Sequence, residues 1–213
     1  MEEYLVPTDF GKDEFVEKKS RFIGRVWPVE NEEEALARIQ EMKKQHYDAT
    51  HNCWAYIIHD GPVRFSDDGE PGGTAGMPML QVLQREGMNN IVCVVTRYFG
   101  GILLGAGGLV RAYTKGAKIA VDAGGKSMKR VWTVLYVPCP YPFYERVKLE
   151  TESFGGFIRN TEFGAEVELE ILFPQTQAKP FLARLTDMTS GSVEGMEIGQ
   201  EYRAFPITKE VNQ

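Results

Sequence analysis

The residues best suited to chemistry in this chain are Arg97, Arg111, Lys115 and Lys118. They lie in the stretch Ile91–Ala120, which holds no Asp or Glu. Among them runs a glycine-rich loop with Gly100, Gly101, Gly105, Gly107 and Gly108. A glycine loop between a strand and a helix gathers backbone N–H groups, and cations at its borders add charge, so the pattern suits a phosphate or another anion. Arg97, just before the loop, and Arg111, just after it, offer planar forks for bidentate phosphate contacts. The amides of Gly100, Gly101, Gly107 and Gly108 complete the candidate anion or RNA site, with Lys115 flanking it. Arg64 and Arg21 would widen it if their strands ran nearby. The plainer reading is that the glycines serve sharp turns and close helix–strand approach, and that Arg111, Lys115 and Lys118 form a solvated helix face.

A second group is acidic. Asp67, Asp68 and Glu70 precede another glycine loop, Gly69-Glu70-Pro71-Gly72-Gly73. Carboxylates this close can hold a divalent cation or divide acid and base roles. An Asp-Asp-Gly turn whose side chains bond to their own backbone is the commoner outcome. His51 and Cys53 share one face of a strand, but no second ligand pair stands at zinc-like spacing, so no metal or cofactor is expected.

The familiar catalytic and nucleotide patterns are missing. Gly107-Gly108 leads into Leu109-Val110 and not the Lys-Ser/Thr of a P-loop. Read as a dinucleotide fingerprint, the loop puts Val110 at the third glycine position, with no acidic residue placed for a ribose. No Gly-x-Ser-x-Gly, His-Glu-x-x-His or Cys-x-x-Cys occurs, so nucleophilic and metallohydrolase classes lack a starting point. A non-enzymatic role is the expectation.

The elements that position these residues follow from periodicity. Strands are expected at Phe15–Glu17 and Phe22–Val26. Asn31 and Glu34 form a capping box before a helix reaching about Gln45. A strand over Asn52–Ile58 turns at Asp60-Gly61 into Val63–Phe65. Thr74 is the expected N-cap of a helix carrying Met79, Leu80 and Leu83, which ends at Gly87. After strand Ile91–Val95, the residues Leu109, Ala112, Tyr113, Gly116, Ala117, Ala120 and Val121 trace one face of a long helix. Flexible Ala123–Ser127 is the expected boundary between a domain over 1–125 and another over 130–213. Beyond it the order is strand, helix, strand, strand, helix, strand, the βαββαβ order of a ferredoxin-like sandwich. Its sharpest signal is the alternation of Val167, Leu169, Ile171 and Phe173 with Glu166, Glu168 and Glu170. The class is α/β in the broad sense, α+β in detail.

At 213 residues the chain can bury a good core, and its composition is ordinary for a globular protein. The formal net charge of −6 argues against a generic polyanion binder, so any nucleic-acid contact must be local. Nothing approaches a membrane span, and Met1-Glu2-Glu3-Tyr4-Leu5 lacks the layout of a secretory signal. Three separated cysteines in apolar runs read as buried thiols of a reducing compartment. A cytoplasmic location is expected.

Several ordered motifs carry a resemblance. Lys19-Ser20-Arg21-Phe22-Ile23-Gly24, the run Arg64 to Gly76, Val95-Thr96-Arg97-Tyr98-Phe99-Gly100-Gly101 and Gly105 to Tyr113 resemble the Impact family, in the two-domain YigZ-type form found in bacteria. The resemblance spans essentially the whole chain. It implies an N-terminal domain of ribosomal-protein-type βαβ fold and a ferredoxin-like C-terminal domain, a pair similar to domains IV and V of elongation factor G. It thereby implies a translation-associated factor touching RNA or the ribosome. The eukaryotic member restrains a starvation-responsive kinase by competing for its activator protein, and it carries an additional N-terminal domain for which this chain has no counterpart. A translation-regulatory protein partner, or an enzyme on a phosphorylated substrate using Asp67, Asp68 and Glu70, are the alternatives.

Overall fold

The computed structural model describes residues 3–207. The first two residues of the acidic N-terminus and the last six of the expected second domain lie outside them. Two compact units emerge, one from Tyr4–Met128 with residues 204–207, the other from Lys129–Arg203 with Glu3.

In the N-terminal unit the chain runs β1 (Tyr4–Pro7), β2 (Gly11–Glu17), β3 (Ser20–Pro28), α1 (Glu32–Gln45), β4 (His51–Ile57), β5 (Val63–Ser66), α2 (Gly76–Arg85), β6 (Ile91–Tyr98) and α3 (Ala106–Gly124). Five strands form one sheet in the order β2-β3-β6-β4-β5. β3 and β4 each pair antiparallel with β6, so they are parallel to each other. With α1 they make a βαβ unit that holds β6 between its strands.

Helices cover both faces of this sheet. On one, α1 sets Ala35, Ile39 and Met42 against Trp27, Tyr56, Val92 and Val94. On the other, Leu83 of α2 and Leu109, Tyr113 and Ala117 of α3 meet Phe22, Cys53, Ile91, Cys93 and Val95. A central strand covered on both faces reads as a near-continuous apolar run, and β6 is apolar from Ile91 to Val95 and buried on to Arg97. The helix α3 lies unusually close to the sheet at Gly24 and Gly116, where a Cβ on Gly24 would stand 2.1 Å from the Gly116 carbonyl oxygen.

Asn31 caps α1 as expected, accepting the Glu34 amide at 2.9 Å. The α2 cap differs from expectation. Thr74 gives its hydroxyl to the Pro71 carbonyl, and α2 begins at Gly76 without a side-chain cap from its N-cap residue, Ala75. Asp67 supplies the acceptor from across the loop.

The C-terminal unit contains β7 (Lys126–Cys139), α4 (Tyr144–Ser153), β8 (Phe157–Phe163), β9 (Val167–Pro174), α5 (Gln175–Met188) and β10 (Met196–Pro206). β9 lies between β8 and β7, and β10 pairs on β7. That is the strand arrangement of a ferredoxin-like sheet. Leu135, Val137, Leu169, Ile171 and Phe173 form its buried face against Val147 of α4 and Phe181 and Leu185 of α5. Among the described residues, no helix is long and apolar enough to cross a membrane.

Candidate functional site

The two glycine loops of the N-terminal unit meet different fates. The first already holds an anion, and that anion is the chain's own. One carboxylate oxygen of Asp67 accepts the amides of Ala75 at 3.0 Å and Gly76 at 2.8 Å, and the other accepts Gly73 at 2.8 Å. Burial opposes the charge on Asp67, but these three amides outweigh it and hold the carboxyl below its usual range. The loop therefore works as a remote cap on α2.

Asp68 is equally committed. It accepts the Asn52 amide at 2.7 Å and Lys43 at 2.6 Å, tying β4 to α1. Glu70 points inward. Its Oε1 accepts Arg97 Nη1 at 2.7 Å and the Tyr113 hydroxyl at 2.7 Å, while its Oε2 stands 3.8 Å from His51 Nε2. Burial, then Cys53 and Glu70 beside it, pushes the Tyr113 hydroxyl up, so it remains a donor. Burial likewise raises Cys53 and keeps it a thiol, an inert state for a cysteine. Among the described residues, no three His, Cys, Asp or Glu side chains come together in a way that could hold a metal.

Arg97 does not project into an open basic surface. Residues of β6 alternate between faces, and Arg97 shares the face of Ile91, Cys93 and Val95, beneath α3. It is 5% exposed, bound to Glu70, and close to the rings of Phe22 and Phe99 at 5.5 and 5.4 Å. Its Nε is buried without a protein partner. Arg21 and Arg64 lie on the opposite, α1-facing side of the sheet, where they pair with Glu14 at 2.7 Å and Glu32 at 3.1 Å. They do not join Arg97. The sheet's alternation separates them, and a single patch of all these cations is not formed.

The second glycine loop contains no internal anion. Gly100 packs on the β2–β3 turn, where an added Cβ would stand 2.0 Å from the Lys19 carbonyl carbon, and its amide donates to Ser20 Oγ at 3.2 Å. Gly101 is exposed. Gly105, at φ 73° and ψ 164°, is the N-cap of α3 and offers no side-chain acceptor. The first α-helical bond runs from the Leu109 amide to the Gly105 carbonyl, leaving the amides of Ala106, Gly107 and Gly108 without intrahelical partners.

Beside this helix start, Arg111 and Lys115 line a hollow of about 200 Å³ with Phe15, Glu17 and Lys18. The Lys115 ammonium sits 4.3 Å from the Phe15 ring centre. Among the described residues, no carboxylate is salt-bridged to Lys18, Arg111 or Lys115. The spacing of Arg111 and Lys115 placed them together in advance. Lys18 was missed, although a Lys-Lys pair between two short strand signals marks a hairpin tip. Both lysines adopt positive φ, 46° and 65°, in a two-residue turn where Asn-Gly is the favoured pair. In the sequence His51 offers only an incomplete metal-ligand pair and Tyr113 only a place in the buried stripe of α3. The one clue in Tyr113 was its hydroxyl in a helix face otherwise built of Ala, Gly, Leu and Val, because a buried Tyr requires a partner.

Known proteins share this architecture. The Impact N-terminal domain model matches residues 18–121, and a domain of unknown function, DUF1949, matches 137–192. IMPACT family member YvyE of Bacillus subtilis is 37% identical over 190 residues, 88% of each chain. IMPACT family member YigZ of Escherichia coli is 37% identical over 185 residues, 85% of this chain and 91% of its own. A solved structure described as a hypothetical protein is 34% identical and superposes with a TM-score of 0.59, covering 99% of this chain and 100% of its own. With both domains matched in order and relatives aligned over most of their length, the chain belongs to the Impact family.

Proposed function

We propose that the N-terminal unit binds RNA, in the setting of the ribosome and the cytoplasm, and that it does so without catalysis. The observation carrying this reading is the cluster of Lys18, Arg111 and Lys115 around one hollow that they share with Glu17, three cations against one carboxylate in a chain of net charge −6. An excess of cations around one hollow focuses a positive potential there and draws anionic partners to it. The Lys18-Lys19 tip supports it, since two non-glycine residues with positive φ cost roughly 1 kcal/mol or more each, and such outliers gather at functional positions. Phe99, half-exposed at the neighbouring loop, offers a face on which a base can stack.

The contact is electrostatic at its core, so its test is the salt dependence of binding. The triple variant Lys18→Ala/Arg111→Ala/Lys115→Ala removes charge without touching the buried Arg97–Glu70 pair. Binding to ribosomes and to single-stranded RNA should weaken, and the slope of log K against log salt should fall by about 0.7 per lost phosphate contact. Equal affinity with an equal slope refutes the assignment. Capture of a translation-regulatory protein by the variant and the wild type alike, with no RNA binding by either, would favour the protein-partner alternative.

A further inference from the structure

A cavity of about 340 Å³ shares Leu104 with the basic hollow, and its lining includes Arg97, His51 and Glu70 together with Gly105 and Ala106 at the start of α3. Its size is within the range of small-molecule sites, and most of the wall is apolar, from Pro71, Phe99, Leu103, Leu104 and Leu109. We infer that this cavity binds a small organic acid that carries a hydrogen-bond donor next to its carboxylate and an apolar chain beyond it, as an amino or hydroxy acid does. This site is separate from the RNA contact proposed above and does not rest on it.

Three features set the ligand's chemistry. The first is the N-terminus of α3. Its first amides have no side-chain cap, its first turn holds no acidic residue, and the glycine N-cap leaves the approach open. Such an end carries partial positive charge and binds carboxylates directly. The contrast with α2 is instructive, because there Asp67 fills the equivalent place. The second is Arg97, nine-tenths buried in the cavity wall with Nε unmatched by any protein acceptor, a state that buried donors rarely keep.

The third feature is a pair of acceptors. The Asp68 carbonyl can only accept, so in the neutral ring His51 Nδ1 carries the proton, at 2.8 Å. His51 Nε2 then presents a lone pair. It stands 3.8 Å from Glu70 Oε2, whose sister oxygen already takes both Arg97 and Tyr113. A ligand hydroxyl or ammonium is matched to this pair. Because Glu70 neutralises Arg97, the net attraction for an anion falls to the helix end, and the donor contact sets selectivity.

The test uses three acids of nearly equal size: L-leucine, 2-hydroxy-4-methylpentanoate and 4-methylpentanoate, titrated into the full chain by calorimetry and ligand-observed NMR. Leucine or its hydroxy analogue should saturate with a Kd of roughly millimolar or tighter, and the acid without a donor should bind at least tenfold more weakly. The decisive variants are Ala106→Asp and Ala106→Asn, at an exposed first-turn position that lines the cavity. An acidic residue there favours the helix itself while occupying the anion's place. Affinity should drop more than tenfold in the Asp variant and stay within a few-fold of wild type in the Asn variant. No saturation by any of the three acids, equal affinity for all three, or an equal loss in both variants overturns the inference.

Discussion

Truncating Glu70 probes the centre of the N-terminal unit most directly. Glu70→Ala leaves the Arg97 guanidinium 95% shielded from water with no counter-charge, and strips the Tyr113 hydroxyl of its acceptor. Removing one partner of a buried ion pair costs about 3–5 kcal/mol, because the stranded charge retains its desolvation penalty. The orphaned hydroxyl adds about 1–3 kcal/mol when counted alone. The two losses share one carboxylate and do not sum, so a total near 4 kcal/mol is the working figure. For a protein of this size that lowers Tm by roughly 8–16 °C. Urea unfolding followed by tryptophan fluorescence reads the effect, since Trp27 and Trp54 both report on this unit. Glu41→Ala is the control. Its pair with Arg38 is about half exposed at both ends, and such pairs contribute about 0.3–0.5 kcal/mol. Adding Arg97→Met to Glu70→Ala removes the stranded charge and should restore a large part of the loss. A Glu70→Ala cost under about 1 kcal/mol, or no recovery in the double variant, would refute the buried-pair account.

Two further outcomes follow from groups around the same loops. Asp67→Ala removes the cap of α2 and should cost about 2 kcal/mol, the upper part of the range for caps. Because the native carboxyl is held below its unfolded value of 3.8, this contribution is complete above that pH and lost as pH falls through the native pKa; acid titration of wild type against the variant checks it. His46 accepts from Arg25 Nη2 at 2.7 Å and donates toward the Tyr98 hydroxyl at 2.8 Å. Burial, then Arg25, with Lys12 and Arg21 adding less, lowers its pKa below 6.5 against the pull of Asp48. The unfolded chain therefore binds the proton more readily, and stability should be full above pH 6.5 and decline as pH falls below it. His46→Gln should flatten that part of the profile, and an unchanged profile refutes the assignment.

What could be read in advance divides along physical lines. The α3 face was legible because a helix repeats every 3.6 residues, so one stripe of Leu109, Ala112, Tyr113, Gly116 and Ala120 fixes both what it buries and that Arg111 and Lys115 point away. The βαββαβ order of the C-terminal unit was legible because β9 has one solvated face, and strict alternation then marks its core side. Arg97 was not legible for the opposite reason. β6 is covered on both faces, so its run Ile91–Val95 is apolar without alternation and says nothing about which of Thr96 and Arg97 turns toward α3. The same silence hid the split between Arg97 on one face and Arg21 and Arg64 on the other. Asp67 illustrates a third limit. A cap nine residues ahead of its helix depends on the path of the intervening loop, whereas the Asn31–Glu34 box is local and declares itself. The two glycine loops show the same limit: acidic residues flank only the first, but the folded path alone shows that Asp67 turns back onto that loop's amides, while the amides at the start of α3 keep no side-chain cap.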